Sequence, residues 1–115
     1  MTDRDATVEL TERVREASAR GAPLRIVGGD TKRFLGREVT GEPLDVAAHR
    51  GIVSYDPSEL VITARAGTPL VEVEAELATK GQRFAFEPPA FGPAATIGGT
   101  VACGLSGPAR AFAGP

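Results

Sequence analysis

"LRIVGGDTK", residues Leu24 to Lys32, sets a short apolar run directly against two glycines and an acid. Glycine takes positive φ and lets a backbone come close to a ligand. A phosphate-binding loop needs both properties, and so does any tight turn. The surrounding chain has to discriminate between the two.

Upstream, Val8, Leu10, Val14 and Ala17 favour one side of a helix spanning roughly Asp5 to Arg20. Glu9 with Arg13 and Glu16 with Arg20 stand four apart, acid first, a spacing that adds about a few tenths of a kcal/mol per pair. Gly21 and Pro23 stop this helix. "LRIV" is then a short strand ending at the glycines. "PLDVA" offers a second strand and "LVITARA", Leu60 to Ala66, a third, with Leu60, Ile62 and Ala64 alternating against Val61, Thr63 and Arg65. Tyr55-Asp56-Pro57-Ser58 supplies the turn before it. Thr68 is placed to cap the next helix, with Pro69 at its first position, where a missing N–H costs nothing. Leu70, Val73 and Leu77 fall on one face of that helix, and Gly81 ends it. The order is α-β-β-β-α followed by a glycine-rich tail, an α+β plan.

Composition bounds the function. The 115 residues suit one domain, with 42% hydrophobic and 24% charged residues, ordinary for a globular chain. A net charge of −2 from interleaved acids and bases argues against nucleic acid, which demands a basic face. No apolar run approaches the ~18 residues needed to span a membrane, and the polar start "MTDRDATVEL" is unlike a signal peptide. Cys103 is the single cysteine, which fits a reducing cytoplasm. With one histidine besides, little is left for a metal site, and none is expected.

The fourteen glycines and nine prolines thicken after Gly81. Low-complexity linkers look similar, but "ATIGGTVACGL" breaks the pattern with small apolar residues able to pack. The chain stops inside this segment with no closing element, and so reads as the front of a larger protein.

Sharper motifs fail. A Rossmann fingerprint needs G-x-G-x-x-G, and the order after Gly28 is G-G-D-T-K-R-F. Gly99 and Gly104 give the glycine spacing of a P-loop, but Leu105 stands at its lysine. "GLSGP" has Pro108 at the last glycine of a nucleophile elbow, and His49 precedes Ser106 against that fold's order. What survives is a pair of glycine loops, at 28–32 and 98–107. Thr96, Ile97, Gly98 and Gly99 are expected to open a short helix whose first N–H groups are free, a natural anion site. Two such loops offering N–H groups to one diphosphate account for the two clusters. Two tightly packed turns account for them equally well.

The ordered set of a strand-GG loop, "AGTPL" before a helix, "EPP" and then "ATIGG" resembles the FAD-binding domain of the vanillyl-alcohol oxidase and p-cresol methylhydroxylase (PCMH-type) superfamily. Within it, the likeness is to the FAD-binding subunits of bacterial glycolate oxidases. It runs from Leu24 to the C-terminus. It implies residues 1–23 as an N-terminal helical segment and 24–115 as the N-terminal portion of a PCMH-type FAD-binding domain, truncated at its C-terminus. By the same resemblance, Gly28, Gly29, Asp30, Thr31 and Lys32 form the first pyrophosphate loop. Asp30 stands where relatives often have a third glycine, and is expected to turn its carboxylate outward. Relatives that attach FAD covalently here carry histidine where Thr31 stands, so FAD is expected to be held non-covalently. Pro88 and Pro89 match the stretch beside the flavin. Thr96, Ile97, Gly98 and Gly99 match the second loop, and Ala102, Gly104 and Ser106 lie on the segment continuing along the flavin.

The activity implied is oxidation of a small 2-hydroxy acid, glycolate to glyoxylate, with electrons leaving FAD for another carrier. The partners implied are other oxidase subunits, an iron–sulfur electron-transfer subunit among them. Localisation is then cytoplasmic, with partner subunits able to bring the chain to the inner face of the membrane. The catalytic residues are not identifiable in this chain. The contrasting reading is a non-catalytic module that keeps the fold for assembly. Plainer roles stand beside these: Cys103 as a packing residue, His49 as a solvent-facing or hydrogen-bonded residue near a strand end, Lys32 and Arg33 as phosphate partners or surface cations, and the acids of the 70–80 helix as a solvated face.

Overall fold

A computed structural model describes residues 3–30, 40–85 and 94–104. The first helix, α1, runs Thr7–Arg20. Asp5 Oδ1 accepts the Thr7 N–H at 3.0 Å, which gives the N-terminus a partner. At the other end Gly21 takes the left-handed conformation (φ 66°), and its N–H and that of Ala22 reach back to Ser18 O and Ala17 O. Of the predicted apolar stripe only Ala17 is buried; Val8 is 67% and Val14 47% exposed. Charge attaches the helix instead. Arg20 bridges Glu16 at 3.0 Å, as the spacing predicts, and also Glu42 at 2.9 Å. Arg13 turns to Glu42 at 3.4 Å rather than to Glu9, which pairs with Arg4. The Arg20 guanidinium, with help from Arg13, holds the Glu42 carboxyl below its ordinary pKa. These groups are exposed, so the pairs mainly orient the helix.

Strands β1 (Leu24–Val27) and β2 (Glu42–Asp45) pair in parallel, Leu24 opposite Glu42 and Val27 opposite Asp45. β1 falls where the sequence places it, and β2 begins one residue before "PLDVA". Strands β3 (Ile52–Asp56) and β4 (Val61–Ala64) form an antiparallel hairpin, irregular between Ile52 and Ser54. Sequence reading gives only the second of these strands, because the turn signal of Tyr55-Asp56-Pro57-Ser58 masks a strand that runs into it. Asp56 Oδ1 accepts from the Ser58 and Glu59 N–H groups, which fixes the turn. Leu60, expected to start the strand, lies in the turn at φ +58° and 79% exposed.

Helix α2 is Leu70–Ala78. Leu70, Val73 and Leu77 are buried, as their spacing predicts, each contributing roughly 2 kcal/mol relative to an exposed side chain. Gly81, at φ +66°, closes the helix end, with Gln82 N–H on Leu77 O. The cap differs from expectation. Pro69 occupies the N-cap position in extended conformation, and the Thr68 hydroxyl points elsewhere. Helix α3 is Ile97–Cys103. With α2 it places Ala95, Thr96 and Thr100 beside the Leu70–Leu77 face in the core. The N-terminal segment is stitched on by backbone: Arg4 and Arg50 exchange both N–H···O bonds, and the Ala6 N–H donates to His49 Nδ1 at 3.0 Å. His49 is therefore the hydrogen-bonded residue beside a strand that the sequence suggests. The four strands and three helices among the described residues are consistent with the α+β class.

Candidate functional site

β1 delivers the chain to the first glycine loop. The bond from Val46 N–H to Val27 O, 2.8 Å, holds the strand to its last residue, so Gly28 and Gly29 leave from a fixed point. A Cβ on Gly29 would lie 1.8 Å from the Ala94 carbonyl oxygen, and one on Gly28 would lie 2.7 Å from Thr96 Oγ1. The two glycine loops, some 65 positions apart in sequence, are thus in direct backbone contact. No side chain but hydrogen allows that approach. Asp30 has φ 56°, the left-handed conformation that a glycine takes most easily and an aspartate tolerates. Its carboxylate lies 3.9 Å from Arg25 Nη1 with the side chain 39% exposed. Among the described residues no acceptor meets the Gly28 or Gly29 N–H.

The second loop is held from its other side by residues 66–70. Leu70 N–H donates to Ala95 O (2.8 Å), Ile97 N–H to Thr68 O (2.9 Å) and Gly98 N–H to Ala66 O (2.9 Å). Thr96 caps α3, its Oγ1 accepting the Gly99 N–H at 3.2 Å. The expected short helix is present, therefore, but its first N–H groups are not free. Each has an internal acceptor, so α3 is no ready anion site. Its two glycines differ in tightness. Among the described residues a Cβ on Gly99 would meet Thr96 Oγ1, at 3.3 Å, a contact that a small shift relieves, whereas one on Gly98 would strike Ala66 at 2.8 Å. Gly98 is thus closed by packing, and Gly99 is the less crowded of the two and half-buried. Ala102 and Gly104 are exposed on the far end of α3, Gly104 as its left-handed cap. Cys103 is a partly exposed free thiol. Thr31, Lys32, Pro88, Pro89 and Ser106 lie outside the described residues.

Sequence reading assigned no site role to Ala66, Gly67 and Thr68. Their signal is "AGT" between a strand and a helix, legible as a helix lead-in and as part of the family resemblance but not as a support for the second loop. In the fold, Gly67 is wedged against the carbonyls of Val46, Ala47 and His49, the nearest 2.2 Å from where its Cβ would stand. A concavity of about 400 Å³ lies between the hairpin and the end of α2 and is lined by Tyr55, Ile62, Leu77, Gln82, Arg83 and Phe84 among others. Gln82 is already engaged by the Tyr55 hydroxyl and Pro57 O, and none of the glycine-loop residues lines it. No group of three or more metal-ligating side chains occurs among the described residues, and none of their helices is long and apolar enough to cross a membrane.

Comparison with known proteins identifies the family. A family model described as an FAD binding domain matches residues 5–115. The chain is 56% identical over 110 residues to glycolate oxidase subunit GlcE of Escherichia coli (strain K12), covering 96% of this chain and 31% of that relative. The chain thus spans about a third of the relative's length. No solved structure matches. The chain belongs to the FAD-binding-domain family.

Proposed function

We propose that this chain is the FAD-binding part of a flavin-dependent oxidoreductase subunit of the PCMH type, acting on a small 2-hydroxy acid and converting glycolate to glyoxylate. The observation that carries it is the close approach of Gly29 to the Ala94 carbonyl and of Gly28 to the Thr96 side chain, which sets the open Gly28 and Gly29 N–H groups beside the second glycine loop. In this reading the Gly28 and Gly29 N–H groups, with Asp30, Thr31 and Lys32, face the phosphates. Asp30 contributes backbone while its carboxylate stays near Arg25. Gly99 lets the cofactor approach the loop, and Thr96, Ile97 and Gly98 fix its position. Ala102, Gly104 and Ser106, together with Pro88 and Pro89, flank the flavin.

Bound FAD supplies the two-electron acceptor. The chain's own part is to hold and orient it, and no residue here is assigned as the base. The domain division is residues 1–23 as a helical lead-in and 24–115 as FAD-binding domain. The subunit works in the cytoplasm beside other oxidase subunits, one of them an iron–sulfur electron carrier. The resemblance and the relative's printed name support this reading.

Because Thr31 replaces the histidine of covalent relatives, FAD is bound non-covalently. The purified protein is expected to be yellow and to release its flavin into acid supernatant. Flavin retained in the precipitate contradicts the non-covalent mode. A colourless, cooperatively folded protein that does not take up FAD contradicts the function and favours the assembly-module reading.

A further inference from the structure

Thr68 is fully buried, with 0% exposure, yet carries a hydroxyl. A buried hydroxyl is costly unless it is bonded. Here Oγ1 accepts the Gly51 N–H at 2.9 Å and donates to Arg65 O at 2.7 Å. It therefore closes the 65–68 turn and pins it to the start of β3. The same residue's carbonyl accepts the Ile97 N–H, and Ala66, two residues earlier, accepts the Gly98 N–H. One side of residue 68 is fastened to the hairpin and the other to the second glycine loop. Gly67 presses this turn onto the 46–49 backbone, which leaves it little freedom to shift.

We propose that Thr68 is the positioning residue of the cofactor loop. Its hydroxyl holds the 65–68 turn where Ala66 and Thr68 can seat Gly98 and Ile97, and so keep the preceding Ala94–Thr96 against Gly28–Gly29. It touches no cofactor and acts through the backbone of α3. This rests on the FAD reading above, although the holding role itself is a property of the fold. Thr68→Val keeps the shape and removes the hydroxyl, which leaves the Gly51 N–H without its acceptor.

The test is FAD titration of the apoprotein together with amide exchange at Ile97 and Gly98, in the wild type, Thr68→Val and Thr68→Ser. Thr68→Val is expected to weaken FAD roughly tenfold or more and to speed exchange at Ile97 and Gly98. Amides at the end of α2 should keep their rates, and Thr68→Ser should restore both affinity and protection. Wild-type FAD affinity in Thr68→Val, or unchanged exchange at those two amides, overturns the proposal. Should Thr68→Val not fold, Gly98→Ala attacks the same contact from the other side, because its Cβ would stand 2.8 Å from Ala66. It is expected to lose a similar tenfold, and wild-type affinity there overturns the proposal equally. A wild type that takes up no FAD sinks the cofactor reading, while the exchange rates still decide whether Thr68 holds the loop.

Discussion

At the glycine junction the backbone itself is the packing surface: Gly29 lies against Ala94, Gly98 against Ala66 and Gly67 against Val46, each with no room for a Cβ. The β3–β4 hairpin is made the other way. Its strands pair through a hydrogen-bonded ladder, irregular between Ile52 and Ser54, and Val53, Leu60 and Val61 stand more than half exposed. At Leu60 it even carries a branched side chain in a conformation that favours glycine. One region thus excludes side chains and fixes backbone groups. The other tolerates side chains that no local rule requires. The difference shows where this chain spends its precision: on the geometry of main-chain atoms at 28–29, 66–70 and 94–99. Of these, Gly28 and Gly29 keep N–H groups without an acceptor among the described residues, the kind of group a diphosphate reads.

The largest effect is expected at Gly29. A valine there would drive its Cβ into the Ala94 carbonyl and force the two loops apart. It should abolish FAD binding and lower stability by about 3 kcal/mol in denaturant unfolding. A Gly29→Val protein with native stability would break the contrast between the regions. Gly99→Val sharpens it. Its Cβ would meet Thr96 Oγ1 at 3.3 Å, a milder clash than at Gly29, so the fold should be less affected, while the valine fills the face along which the cofactor approaches. Flavin content should fall to background, whereas Ser58→Ala in the hairpin turn keeps it. Equal flavin in Gly99→Val, Ser58→Ala and the wild type would remove the second loop from the site.

Smaller effects belong to the hairpin. Leu60→Gly relieves the left-handed strain and should raise stability by roughly 1 kcal/mol without altering FAD affinity. A loss of stability would mean that the exposed leucine makes a contact that matters. Smaller still is an acid effect at the turn. The bond from the Ser58 hydroxyl, then those from the Glu59 and Ser58 N–H groups, lower the Asp56 pKa. A group with a depressed folded pKa stabilises above its unfolded value, and that contribution fades as pH falls through the folded one. The Ser58 and Glu59 amides should therefore lose exchange protection below about pH 4, and in Asp56→Asn this pH dependence should vanish.

Elements with a local cause were legible in the sequence. β1, the Leu70–Val73–Leu77 face and the glycine stops at 21 and 81 depend on neighbours within one or two turns. β3 was hidden because its last residues double as a turn signal, and Leu60 was misplaced because alternation ignores backbone hand. The α1 stripe predicts more burial than the helix has, because only Ala17 of it packs inward while Arg13 and Arg20 orient the helix through Glu42, distant in sequence. At the site, the glycines announced themselves by composition. Their partners did not, because Ala94 and Ala66 are ordinary residues whose carbonyls matter only once the chain has folded. The same blindness made the α3 N–H groups look free, when Ala66, Thr68 and Thr96 supply their acceptors.

Amide hydrogen exchange with and without FAD tests most directly whether the two glycine loops form one cofactor cradle. The Gly28 and Gly29 amides, which meet no acceptor among the described residues, should exchange quickly in the apoprotein and slow sharply on FAD addition. Residues 94–104 should gain protection with them, and the hairpin at 52–64 should not change. Protection that appears at 52–64 while Gly28 and Gly29 continue to exchange freely would place the cofactor elsewhere and contradict the cradle.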